Sequence, residues 1–119
     1  MKRDFDVIRL ILRDVEANPP GQLIQKFFYD GISDEVVQEH ACMVVDAGLV
    51  VGTIIEPLDG PRRAMVQRLT PAGHDFVDSA ADDGTWSKVK TKIMSSGGAI
   101  AISVFTELLK AEGKKKLGL

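Results

Sequence analysis

The chain has 119 residues, 45% hydrophobic and 27% charged, which fits one globular domain able to bury a sizeable core. No apolar run approaches the ~20 residues of a membrane helix, and Met1-Lys2-Arg3-Asp4 leads straight into an amphipathic pattern without an apolar signal segment. Net charge is −2, and the single cysteine, Cys42, excludes an internal disulfide and fits a reducing, cytoplasmic setting.

A first helix is expected from about Asp4 to Ala17. Ile8, Ile11, Leu12 and Val15 recur at the spacing of one helical face, and Arg9, Arg13, Asp14 and Glu16 take the other. Asn18-Pro19-Pro20-Gly21 ends it, because proline cannot donate to the helix ladder. Gln22–Tyr29 is rich in β-formers between turn signals and reads as a short strand joining a hairpin as its third member. A helix with Leu23, Ile24, Phe27 and Phe28 as its face fits so short a run as well.

Ser33 is a good N-cap for a second helix reaching Ala47, with Asp34 and Glu35 at its positive end and Gly48 after its last turn. The helical wheel puts Val36, Val37, His40, Ala41, Met43, Val44 and Ala47 on one broad side. Glu35, Gln38, Glu39, Cys42 and Asp46 fall opposite. Strands follow at Leu49–Glu56 and Ala64–Leu69, with Pro57-Leu58-Asp59-Gly60-Pro61 between them. Thr70-Pro71 starts a helix to about Ala80, and Asp82-Asp83-Gly84 breaks it. Thr85 is expected to cap the next helix, with Trp86, Val89 and Ile93 inward and Lys88 and Lys92 outward. Gly97-Gly98 breaks again. Ile102, Phe105, Leu108 and Leu109 define a last amphipathic helix before the lysine-rich tail.

A helix running at once into a β-ribbon, as from Ile32 to Thr70, is the core of a winged helix-turn-helix. The expected fold is therefore α+β: a winged helix-turn-helix-like core over residues 1–83, then a helical extension over 84–119 packed on it. Charge divides along the same line. Residues 1–83 hold eight Lys/Arg and fifteen Asp/Glu; residues 84–119 hold seven Lys and two Glu. Such a split points to a basic interaction tail or to a basic segment lying on an acidic body.

Several stretches together resemble a family of short proteins encoded by bacteria, phages and prophages, known only as a domain of unknown function. They are MKRDFDVIRLIL at 1–12, His40 leading to AGLV at 47–50, LTPAGHDF at 69–76, DDGTWSKVK at 82–90 and the KKKLGL ending. The resemblance implies a winged-helix-like fold and a phage-related, cytoplasmic setting, and no reaction. Gln22–Tyr29 does not match that pattern.

The chemistry of sites is sparse. His40, Cys42 and His74 are the only soft metal-ligand candidates, but His40 and Cys42 are two apart on a helix and point about 200° from each other. A core histidine bonded to backbone is the favoured reading of His40. No GxSxG, HExxH, phosphate loop or GxGxxG is present, and Asp82-Asp83 reads better as a helix-start cluster than as a paired acid site. The expectation is a non-enzyme with no cofactor, metal, small-molecule substrate or membrane.

Two functions remain. Arg62, Arg63 and Arg68 on the wing, with Lys88 and Lys92, form a candidate nucleic-acid surface. Arg62 and Arg63 would then sit at an exposed tip, where their removal leaves stability nearly unchanged. Against this, the presented helix carries Asp34, Glu35, Glu39 and Asp46 and no Lys or Arg, and duplex affinity is dominated by phosphate neutralisation. Gln38 alone does not offset four carboxylates. The other function is a protein-interaction module, homodimeric or with another protein, using Glu35 and Glu39 or the apolar Ile102, Phe105 and Leu109 of the last helix, which is expected to cap the core with some contact left for a partner. The fold points towards DNA and the charges towards protein.

Overall fold

In the computed structural model, which describes every residue but Ala99, Asp4 caps helix α1 (Phe5–Ala17) by accepting from the backbone N–H of Asp6 and Val7. Val7, Ile8, Ile11, Leu12 and Val15 are buried, the stripe expected from their spacing. Helix α2 (Asp34–Asp46) starts on the Ser33 hydroxyl, which accepts from Val36 N–H, and ends at Gly48 with a positive φ of 74°. Sixteen residues, 18–33, join α1 to α2, where a helix-turn-helix has about three or four.

The phase of α2 differs from the wheel. Cys42 is fully buried and Gln38 nearly so, while Ala47 is exposed and Val36 and Met43 are half-buried. The wheel treats Gln38 as polar and outward. Instead its side-chain amide donates to the Phe27 carbonyl at 2.9 Å and to Asp34 at 3.2 Å, so the connecting segment lies over that side. Val44 is fully buried, as expected.

Gln22–Tyr29 is neither a helix nor a full strand. Ile24 exchanges two backbone bonds with Val66, at 2.8 and 2.9 Å, and forms an isolated bridge. The expected third strand contracts to that one residue. Phe27 then turns into the core, and its carbonyl is taken by α2. Tyr29 is tied to α1 by a short bond from its hydroxyl to Asp14. Burial, and then that carboxylate, push the phenol well above its ordinary pKa.

Strands β1 (Val50–Ile55) and β2 (Arg63–Leu69) form an antiparallel hairpin. Val51 pairs with Arg68 and Gly52 with Val66, so Gln67 is the extra residue of a bulge. A Cβ on Gly52 would lie 2.6 Å from the Met65 carbonyl oxygen and 3.2 Å from Val45 of α2. Glycine lets the bulged hairpin and the helix close on each other there. α1 and α2 pack against each other and against β2, and α2 also covers β1.

The start of helix α3 (Pro71–Ser79) is locked to the end of α2. Thr70 accepts from Gly73 N–H at 3.1 Å, and its hydroxyl donates to the Gly48 carbonyl at 2.6 Å. Its backbone N–H donates to the Leu49 carbonyl. Gly73 sits on that same carbonyl, and a Cβ there would meet its oxygen at 1.9 Å.

The chain forms two compact units, Met1–His74 and Asp75–Leu119. The second holds the rest of α3, α4 (Asp83–Ser95) and α5 (Ile102–Lys116). α4 and α5 pack together, and Phe76, Trp86 and Phe105 meet with ring centroids 5.0–6.2 Å apart. The cap of α4 is Asp82, not Thr85. The carboxylate accepts from both the backbone N–H and the hydroxyl of Thr85, which moves the helix start earlier and buries the threonine. Gly97 and Gly98 both have positive φ after α4, consistent with the expected break.

The two glycines Gly73 and Gly113 should behave oppositely. Gly73→Ala should destabilise the protein by roughly 3 kcal/mol, because backbone must move to admit the methyl group. Gly113→Ala, inside α5 with nothing near its Cβ position, should stabilise it by about 0.5–1 kcal/mol. Urea unfolding of both variants checks the pair, and equal midpoints would contradict the close approach at Leu49.

Candidate functional site

Glu39, Cys42 and Asp46 recur at three- and four-residue steps, so they share one face of α2. Arg62, in the hairpin loop just before β2, reaches across to them. Its Nε lies 3.1 Å from both Glu39 carboxylate oxygens and its Nη2 lies 2.8 Å from Oε1. Its Nη1 donates to Asp46 Oδ2 at 2.9 Å. One guanidinium therefore spans two carboxylates seven residues apart, using the planar fork that lysine lacks. The side chains of Arg62 and Glu39 are 26% and 27% exposed, so the pair is partly withdrawn from water. These bonds raise the Arg62 pKa above its ordinary value, and burial pushes the Cys42 thiol beneath them up.

This overturns the placement of Arg62 at an exposed tip. It is a structural clamp, and its removal would leave two carboxylates together on a half-covered helix face. Arg63 and Arg68 differ: both are exposed on β2, with no ion pair among the described residues. Glu35 is exposed in the first turn of α2, while Glu39 is held by the clamp. His40 is buried, with Nε2 accepting from Asp4 N–H at 2.8 Å and Nδ1 donating to the Val36 carbonyl at 2.7 Å. Both ring nitrogens are thus spent on backbone, which leaves neither lone pair for a metal. Gln38, bonded to Phe27, is not available to read a base.

Five lysines of the second unit are likewise engaged. Glu112 of α5, 6% exposed, receives Lys92 at 2.6 Å, Lys115 at 3.6 Å and Lys88 at 3.7 Å. The bond from Lys92, followed by the other ammonium groups, holds its carboxyl below the ordinary range. Lys116 reaches Asp82 at 2.8 Å, and Lys110 reaches Asp75 and Glu107 at 3.6 Å. Lys88 and Lys92 are outward-facing as expected, but they are tied to a carboxylate of their own unit. Ile102, Phe105 and Leu109 are all buried, so these three side chains are not presented to a partner.

Charge follows the units. Residues 1–74 hold eight Lys/Arg and eleven Asp/Glu; residues 75–119 hold seven Lys and six Asp/Glu. The strong contrast obtained by dividing at residue 83 nearly vanishes, because Asp75, Asp78, Asp82 and Asp83 belong with the lysines.

A family model described as "Hypothetical protein (DUF2513)" matches residues 2–99. The chain belongs to the DUF2513 family. It is similar to an uncharacterised protein of Haemophilus influenzae, 33% identical over 98 residues that make up 80% of each chain. No solved structure matches. The DUF2513 match contains α1 to α4 and all three members of the clamp, and it includes Gln22–Tyr29. It ends before α5, so the KKKLGL ending lies outside it.

Sequence reasoning missed the clamp, although a signal was present. Two acids seven apart on a helix without a cation of its own call for a base from elsewhere, and Arg62 follows in the adjoining loop. It also missed Glu112, a nearly buried carboxylate paired with lysines of α4 and of its own helix.

Asp82 supplies a pH test. The bond from Lys116, then the two from Thr85, lower its pKa to about 2. A depressed carboxylate stabilises the fold fully above its unfolded pKa of about 4, and that contribution is lost as pH falls through the folded value. Carboxyl NMR titration should place Asp82 near 2, and Lys116→Met should move it upward. An unchanged midpoint in that variant would remove the ion pair as the main cause.

Proposed function

We propose that the chain is a non-enzymatic protein-interaction module of the cytoplasm, built on a winged-helix-like core of α1, α2 and the hairpin. The observation that carries this reading is that three of its five candidate cations already contact carboxylates of their own unit. Arg62 serves Glu39 and Asp46, and Lys88 and Lys92 serve Glu112. To bind phosphate these side chains would have to compete with carboxylates they already contact, which reduces the gain from counterion release. Large apolar side chains stand exposed instead: Phe28 at 75% and Leu23 at 44%, both in the segment between α1 and α2. Aromatic and aliphatic side chains of this size are the usual anchors of protein interfaces.

DNA binding is the second reading. It is favoured by Arg63 and Arg68, exposed on β2 without ion pairs among the described residues. Two phosphate contacts give a plot of log affinity against log salt with a slope of about −2, too shallow for a working regulator.

Fluorescence anisotropy with a labelled duplex across a salt series separates the two. The expected result is weak binding with a slope no steeper than about −2. A slope of about −5 or steeper, made shallower by about 2 in Arg63→Ala with Arg68→Ala, would overturn the protein-interaction reading in favour of DNA.

A further inference from the structure

The hairpin has two edges, and they are not alike. On the β2 side Ile24 exchanges both of its backbone bonds with Val66. That exchange fixes the direction of every polar group in the ladder. Val66 points its N–H and carbonyl at Ile24, away from β1, so its partner Gly52 is in a non-hydrogen-bonded pair and points its own groups outward. Alternation along β1 then aims Val50, Gly52 and Ile54 at the outer edge, and Val51, Thr53 and Ile55 at β2. The bond from Thr70 N–H to the Leu49 carbonyl keeps the same alternation one residue earlier. Among the described residues, nothing bonds the three outward N–H and three outward carbonyl groups of β1.

Exposed edges in natural sheets are usually protected by lysine, proline or a bulge. β1 has none of these. Its sequence, Val50-Val51-Gly52-Thr53-Ile54-Ile55, carries no charge and no proline, and the bulge residue lies on β2. An edge of this kind is complementary to itself. Two copies set antiparallel about Gly52 pair Val50 with Ile54 of the second copy, Gly52 with its own counterpart, and Ile54 with Val50 of the second copy. Gly52 and Ile54 form the accessible part of this edge and Val50, 4% exposed, its covered end; pairing through all three satisfies the six outward groups of each strand. No charged side chain of the strand is brought opposite another, and side-by-side apolar pairs form between Val50 and Ile54.

We propose that β1 is the homodimerisation edge of this protein, joining two hairpins into one continuous antiparallel sheet about a two-fold axis at Gly52. This rests on the protein-interaction reading and names a second copy as the partner.

The experiment is sedimentation equilibrium of the full chain with hydrogen exchange at two concentrations tenfold apart. The wild type should approach twice the 13.0 kDa chain mass at the higher concentration. The amides of Gly52 and Ile54 should exchange more slowly there than on dilution, while those of Thr53 and Ile55 are protected at both. Ile54→Pro removes an outward N–H that the monomer does not use, so it should keep its circular dichroism spectrum and lose the dimer. Should that variant unfold, Thr53→Lys, which puts a charge on the exposed face beside the same edge, serves instead: it should shift the monomer–dimer equilibrium at least tenfold towards monomer. A wild-type chain that is monomeric with outer amides indifferent to concentration would overturn the proposal. So would a dimer that survives in the folded edge variant. A monomer that also fails to bind duplex DNA leaves the protein-interaction reading standing with a different partner, whereas steep salt-dependent DNA binding removes both.

Discussion

Arg62 ties the loop between β1 and β2 to Glu39 and Asp46 on α2, and the character of the first unit's surface follows from that contact. Without it α2 would present carboxylates along an open face above a buried cysteine. With it, three charged groups become one fork-shaped network, half withdrawn from solvent. The geometry explains the choice of arginine: a lysine ammonium could serve Glu39 or Asp46, but it has no planar fork to meet a carboxylate edge-on while reaching a second. It also explains why α2 buries Cys42 on the side that composition alone marks as polar. The hairpin loop comes over that side because its arginine is bonded there.

The second unit repeats the principle with different parts. Glu112 is nearly buried on α5, and three lysines converge on it. A nearly buried carboxylate is costly unless paired, and here the pairing comes from the neighbouring helix α4 and from its own. Asp82 caps α4 and accepts Lys116 from the end of α5, so one carboxylate closes a helix start and holds a helix end. In both units charge is used for internal fastening.

Much of the fold was legible because it rests on local physics. The apolar stripe of α1, the Ser33 cap, Gly48, the two strands and Thr70-Pro71 all follow from spacing or from capping chemistry, and each forms within a residue or two of its expected bounds. What was not legible depends on distant partners. Gln22–Tyr29 has strand-forming residues, yet only Ile24 pairs, because Phe27 turns inward and gives its carbonyl to Gln38. Gln38 and Cys42 look outward on a wheel until the loop and the connecting segment lie across them. Thr85 and Asp82 both have capping chemistry, and the carboxylate wins by accepting two bonds at once. Of the candidate site residues, Arg63 and Arg68 remain exposed, with no ion pair among the described residues. Arg62, Lys88 and Lys92 are engaged, and Ile102, Phe105 and Leu109 belong to a core. A list of residue types cannot make that separation; the partner of each charge does.

The claim on which this account turns is that Arg62 works inside the fold. A double-mutant cycle measures it directly, with urea unfolding of the wild type, Arg62→Ala, Glu39→Ala and the double variant. The account predicts a coupling between the two residues of about 1–2 kcal/mol, as for charge-assisted bonds at a partly covered site. A coupling near zero, as for an exposed surface pair, would contradict it.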